Sequence, residues 1–199
     1  MSDSHIQAKP YDEKLDSLEG ISKETNRAHY GLYEKYVSNY NEALDRLNGA
    51  DRAKSNQIFS DYRSAAVDIT FALGGVKNHE LYFGHLGGNG QPVDGAFKTQ
   101  IEKDFPSWDS YLEDLKAAGM AARGWAWTVW DDDLQRLYNT VGDQQNTYLV
   151  WNAHPVVGLD VYEHAYIGDF GTARPAYIDA FFKNLDWKVV EAGFSSLHK

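Results

Sequence analysis

Seven histidines and 29 acidic residues are the groups in this chain with the widest chemical reach, and it contains no cysteine. Without thiolates there is no disulfide, no iron–sulfur cluster and no sulfur-held zinc. A metal would have to be bound by imidazole, carboxylate and water, which suits iron, manganese or zinc. His5 and His198 lie near the termini and are set aside as ligands. His29 and His79 fall on different predicted helices, and each alone has an ordinary reading as a hydrogen-bonded core histidine. Asp160 and His164 stand four residues apart at the end of the branched run VVGLDVY, where a strand hands over to a turn and both side chains can aim at one point. Three imidazoles and one carboxylate form a mixed nitrogen and oxygen set. Such a set leaves a coordination position for water or substrate, which fits catalysis better than a closed structural site. Spacing alone does not bring the four together.

The elements that would have to do so are legible in outline. From Ser22 to Leu47 the residues are mostly helix formers, with His29, Tyr33, Tyr36, Tyr40 and Leu44 recurring every three or four positions along one face. A second helical pattern runs from about Lys54 to Leu86, interrupted in composition by Gly74-Gly75, and the two segments predict an antiparallel hairpin. The Gly-rich stretch GHLGGNGQPVDG, residues 84–95, reads as a linker. Short helices are expected over 98–121, strands in WAWTVWD, LQRLYNTV and VVGLDVY, and two closing helices near Ala176–Leu185 and Trp187–Gly193. The predicted class is α+β, with a helical hairpin domain over residues 1–88. An α+β domain with a small antiparallel sheet flanked by helices would follow over 89–199.

Composition narrows the function. A chain of 199 residues with 43% hydrophobic content can bury a sizeable core. The net charge of -10 opposes binding to nucleic acid or an anionic membrane, both of which are held by Lys and Arg. No apolar run approaches the roughly 18 residues of a membrane span, and the opening MSDSHIQAKPYDEK has no apolar signal core, so the cytoplasm is the expected location.

At this point the motifs resemble those of the iron/manganese superoxide dismutase family over nearly the whole chain. KETNRAHYG with YVSNYNEAL resembles the family's first-ligand helix, NHELYF its second-ligand segment and GWAWTV its core tryptophan segment. DVYEHAY and ARPAYIDAFFKNLDW resemble its signature and closing helices. The resemblance implies that His29, His79, Asp160 and His164 ligate one manganese or iron ion per subunit, between the two halves, and that superoxide is the substrate. It implies a glutamine beside the metal-bound solvent. Gly75 stands where iron members tend to carry that glutamine, so the loop VGDQQN is expected to supply it, with Gln144 the nearest match and Gln145 the alternative; this leans toward manganese. Trp125, Trp127 and Tyr82, with Phe83, match the aromatic wall, and ordinary core packing is their plainer reading.

The family's gateway tyrosine usually lies eight residues after the first ligand, where this chain has Val37. Tyr36, seven residues on, returns to within about 20° of the direction of His29 on a regular helix and is taken as the gate. Tyr33 replaces a histidine and Ile167 a tyrosine that in the family bridge the dimer interface. Tyr162 replaces a tryptophan. Glu163 is retained, and in the family it spans the interface to the partner's ligand histidine, which implies a homodimer, with a tetramer as the larger option. The departures leave the ligands intact and bear on proton supply. The alternative function is therefore a metal-binding homologue of the same fold with little or no dismutase activity.

Overall fold

A computed structural model describes residues 5–147 and 151–197; His198 lies outside them. The chain opens on an extended strap and a single turn, α1 (Asp12–Leu15), followed by two long helices, α2 (Lys23–Gly49) and α3 (Asp61–His85). Their starts are fixed by serine caps: the Ser22 hydroxyl accepts from Thr25 N–H at 3.1 Å and the Ser60 hydroxyl from Arg63 N–H at 3.0 Å. Each cap satisfies one orphan donor of the first turn, and Glu24 and Asp61 add the negative charge that a helix start favours. The second helix thus begins at Asp61, later than the sequence pattern from Lys54 suggests. Only Arg52–Lys54 form a 3-10 turn, and Asn56 folds the next residues into a turn by accepting from Ile58 and Phe59 N–H. Helix α3 runs unbroken through Gly74-Gly75.

The second half begins with α4 (Ala96–Asp104) and α5 (Trp108–Ala121), followed by strands β1 (Trp125–Asp131), β2 (Arg136–Gly142) and β3 (Ala153–Asp160). The single turn α6 (Ile167–Phe170) and the helices α7 (Arg174–Asn184) and α8 (Trp187–Leu197) close the chain. Helix α4 starts at Gly95, which offers no capping side chain; Glu191 of α8 supplies the acceptors instead, taking the N–H of Ala96 and of Phe97 at 2.8 Å each. The sheet is antiparallel with order β2-β1-β3. Central β1 is buried at every position, between two neighbouring strands and under α5, with Trp125 packed against His79 and Tyr82 of α3. The fold is thus the helical hairpin plus α+β architecture expected above. Among the described residues no helix is long and apolar enough to cross a membrane.

The register matters for chemistry. Trp125, the first residue of β1, pairs with Gly142 on one side and with Asp160 on the other. One end of the sheet therefore brings together the loop after β2, a tryptophan and the carboxylate at the end of β3, and α3 packs over β3 at this place.

Candidate metal centre

Helix α2 carries His29 on its buried face, and α3 carries His79 on the face turned toward it. Asp160 ends β3, and the 3-10 turn Glu163–Ala165 that follows returns His164 to the same point. The Nε2 atoms of His29, His164 and His79 lie 3.0, 3.3 and 3.7 Å from one oxygen, Asp160 Oδ2. All four candidate ligand atoms fall within 4.8 Å of one another. With metal–ligand bonds of about 2.1 Å, ligand atoms around a shared ion sit roughly 3 to 4 Å apart, so the spacing is that of a coordination shell. His29, His79 and Asp160 are 1%, 0% and 0% exposed in their side chains, and His164 is 31% exposed.

Protonation fits a cation. The Nδ1 of His79 donates to the carbonyl of Gly75 at 2.6 Å, which puts the lone pair on Nε2. That Nε2 is buried and has no hydrogen-bond partner. Burial pushes the His79 imidazole down to about 3, helped by neighbouring His29, and burial likewise lowers His29. Burial alone would raise Asp160, but the imidazoles of His164 and His29 bonded to its carboxylate outweigh that and hold it below the usual range. At neutral pH the buried set is two neutral imidazoles and one carboxylate, with the His79 lone pair directed inward. An orphaned acceptor nitrogen in a dry site costs free energy unless something electron-poor occupies the space before it.

Around these four, Tyr177 of α7 donates to the main-chain carbonyl of Asp160 at 2.7 Å, with the Tyr82 hydroxyl 3.1 Å from its own. This links α3 to the end of β3 through fully buried hydroxyls. Trp125 meets the His79 ring edge-on at 5.4 Å, and Trp127 stacks parallel to Trp125 at 6.2 Å. The Tyr162 ring stacks on His164 at 5.3 Å. Tyr36 lies beside His79, with ring centroids 5.3 Å apart, and rests on Gly75: a Cβ there would stand 2.5 Å from the tyrosine ring. Gly75 is therefore what lets α2 and α3 approach with an aromatic ring between them. Burial raises the Tyr36 phenol, as does the Asp160 charge, while the Gln145 amide works against both. A cleft of about 230 Å³ between the two helices has Tyr36 in its wall, with Phe71, Arg46 and Asp68 farther out.

Of the two loop glutamines, the structure buries the second. Gln144 is exposed, whereas Gln145 is 1% exposed and faces the site. The cause is the turn 143–147, closed by Thr147 Oγ1, which accepts from Gln144 N–H at 3.1 Å and donates to its carbonyl at 3.0 Å. Within that turn Asp143 and Gln144 are exposed and Gln145 is buried, so the amide on the inner side is that of Gln145. Its Oε1 accepts from Trp125 Nε1 at 3.1 Å, its main-chain carbonyl accepts from Asn78 Nδ2 at 3.3 Å, and its Nε2 is buried without a partner. Tyr33 is fully buried against the N-terminal strap. Its hydroxyl donates to Glu80 at 3.0 Å and accepts from Lys9 N–H at 2.8 Å, tying the N-terminal strap to the hairpin. Arg174 donates to the carbonyl of Ala122 at 2.8 Å and to the hydroxyl of Tyr166 at 3.2 Å. Glu163 and Ile167 lie exposed on the surface beside His164. Sequence reasoning did not single out Tyr177 or Asn78. Asn78 directly precedes His79 in NHELYF, but a neutral polar side chain in a motif carries no periodicity that would mark it.

The comparisons agree with this geometry. Residues 6–87 match the model of the alpha-hairpin domain of iron/manganese superoxide dismutases, and residues 93–193 match that of their C-terminal domain. A superoxide dismutase (Fe) of Aquifex pyrophilus is 45% identical over 192 residues, covering 94% of this chain and 90% of that one. Superoxide dismutase (Mn) 2 of Halobacterium salinarum is 31% identical over 204 residues, covering 99% and 98%. A superoxide dismutase (Fe) of Methanothermobacter marburgensis is 32% identical over 190 residues, covering 92% of each. With both halves matched and a four-residue metal cradle at their junction, the chain belongs to the iron/manganese superoxide dismutase family.

Proposed function

We propose that this chain is a superoxide dismutase, converting superoxide to dioxygen and hydrogen peroxide with one manganese or iron ion per subunit held by His29, His79, Asp160 and His164. The observation that carries the reading is the convergence of three imidazole Nε2 atoms on one buried carboxylate oxygen, with the His79 lone pair unpartnered. The bound ion would supply the electron exchange by passing between its trivalent and divalent states. The chain supplies the rest. His29 and His79 give neutral donors, and Asp160 gives the one anionic donor. Gln145 offers an N–H into the site, and Tyr36, kept protonated at neutral pH by burial, can hold a proton beside it. Trp125, Trp127 and Tyr82 exclude bulk water, which strengthens every charge interaction within.

Relatives named for iron and for manganese both support use of either ion. The Gly75 and Gln145 arrangement supports manganese as the preferred one. We propose the division into a hairpin domain, 1–88, and an α+β domain, 89–199. A homodimer is supported by the cleft lined by Tyr162, Glu163 and His164, which leaves one ligand histidine partly open on the side a second copy would cover. The test is to strip the protein, reload it separately with manganese and with iron, count bound metal, and measure superoxide removal. One equivalent of metal with rapid turnover in at least one form is expected. Full occupancy with negligible turnover would identify a metal-holding homologue instead.

A further inference from the structure

Tyr162 follows the ligand Asp160 by two residues and precedes His164 by two, and it stands where the family pattern has a tryptophan. Its ring lies nearly parallel to the His164 imidazole, at 5.3 Å and 16°. Beyond the ring, the hydroxyl donates to the carbonyl of Asp143 at 3.0 Å. The space for that reach comes from Gly124, where a Cβ would meet the outer end of the phenol at 2.7 Å. A phenol carries its donor at the far tip of the ring, whereas an indole carries its single N–H on the flank. The tether is therefore a property of tyrosine at this position.

Asp143 opens the tight turn whose third residue is Gln145. The Asp143 carbonyl and the Gln144 N–H belong to one planar peptide unit, held at its oxygen by Tyr162 and at its N–H by Thr147 Oγ1, so the tether fixes the peptide that leads into Gln145. The Arg123 N–H steadies the same residue by donating to Asp143 Oδ1 at 3.3 Å. On the inner side the Gln145 carboxamide is held by Trp125 through Oε1, which leaves Nε2 as a buried donor on the side of the Tyr36 phenol, outside hydrogen-bonding geometry with any protein acceptor. We propose that Tyr162 is a positioning residue for the Gln145 amide, acting through the carbonyl of Asp143, and that it thereby sets the redox poise of the site. The proposal rests on the reading of this site as a redox-metal centre. It adds that one side chain couples the His164 face to the amide-bearing loop. A fixed N–H donor favours negative charge on an oxygen facing it, and so favours the more oxidised state of the site. Loosening that donor should raise the midpoint potential.

The test uses the metal-loaded full chain with Tyr162→Phe and Tyr162→Trp, both of which keep an aromatic ring over His164 and remove the donor to Asp143. Redox titration is expected to show the equilibrium between oxidised and reduced forms moved about tenfold toward the reduced form, the effect of losing one good hydrogen bond. For one electron that is about 59 mV. In a Gln145→Ala background, Tyr162→Phe should add little, because the group it positions is gone. An unmoved potential in Tyr162→Phe overturns the proposal. A shift that is equally large without the Gln145 amide also overturns it, since the ring would then act through His164 alone. If the variants fail to hold metal, amide hydrogen exchange over 143–147 in the metal-free protein decides: faster exchange in Tyr162→Phe supports the tether, and unchanged exchange overturns it. A parent chain that takes up neither manganese nor iron overturns the metal reading and this proposal together. Full uptake with an unmoved potential overturns this proposal alone.

Discussion

Gln145 and Gln144 differ by one peptide unit and by everything that matters chemically. One amide is buried against Trp125 and Asn78, and the other is in solvent. Gln145→Ala should lower superoxide removal by about 10- to 100-fold, the usual effect of deleting a group that orients a metal site, while Gln144→Ala should leave the rate within about twofold. Steady-state rates of the two loaded variants check this directly. A second residue outside the ligand set responds to acid. His85 is 3% exposed, its Nε2 accepts the Gly158 N–H at 3.2 Å, and burial, helped by Lys14, pushes it down to about 3. Above about pH 6.5 the ring is neutral in folded and unfolded chains alike, and it contributes no pH dependence. As pH falls from about 6.5 toward 3 the unfolded chain takes up a proton that the folded one refuses, so stability falls by about 1 kcal/mol per pH unit. His85→Gln keeps an acceptor for Gly158 and should flatten that acid limb in denaturant melts of the metal-free protein.

At the scale of elements, the hairpin is held together at the metal by small contacts placed one turn from each ligand. Gly75 admits the Tyr36 ring and orients His79 through its carbonyl. Tyr33, one turn after His29, fastens the N-terminal strap: besides its own two bonds, Lys9 pairs with Glu80 and the Tyr30 hydroxyl donates to the Lys9 carbonyl at 3.0 Å. Tyr33 is fully buried, so Tyr33→Phe removes a satisfied hydroxyl and strands the Lys9 N–H. The expected cost is about 1–3 kcal/mol, read as a fall of several degrees in Tm. Catalysis should change less than stability, because the hydroxyl points to the strap and away from the ion site. Equal Tm values for the two proteins would show the strap to be energetically idle.

For the whole molecule, the metal site and the fold support one another, since the four ligands come from α2, α3, β3 and the turn after it. An ion binding only the folded chain stabilises it by mass action, by about 4 kcal/mol at a free concentration one thousand times its Kd. Chelation should therefore lower Tm by about 10 °C, and reloading should restore it. Differential scanning calorimetry with and without chelator measures the difference. A chain whose Tm ignores chelation would not be built around a cation.

Much of this was present in the chain before any folding was considered. The hairpin was legible because helix formers and aromatic residues recur at helical spacing, and the strands because branched and aromatic residues cluster in short runs. The absence of cysteine limited any site to imidazole and carboxylate, and motif resemblance named the four ligands in order. What pattern could not supply was direction. Whether Gln144 or Gln145 points inward depends on a hydroxyl three residues farther on closing a turn. That Tyr33 fastens the N-terminal strap depends on where Lys9 and Glu80 come to rest, 24 and 47 residues away along the chain. Local propensity acts over a few residues, whereas these orientations are set by contacts between segments that only the folded chain brings within hydrogen-bonding distance.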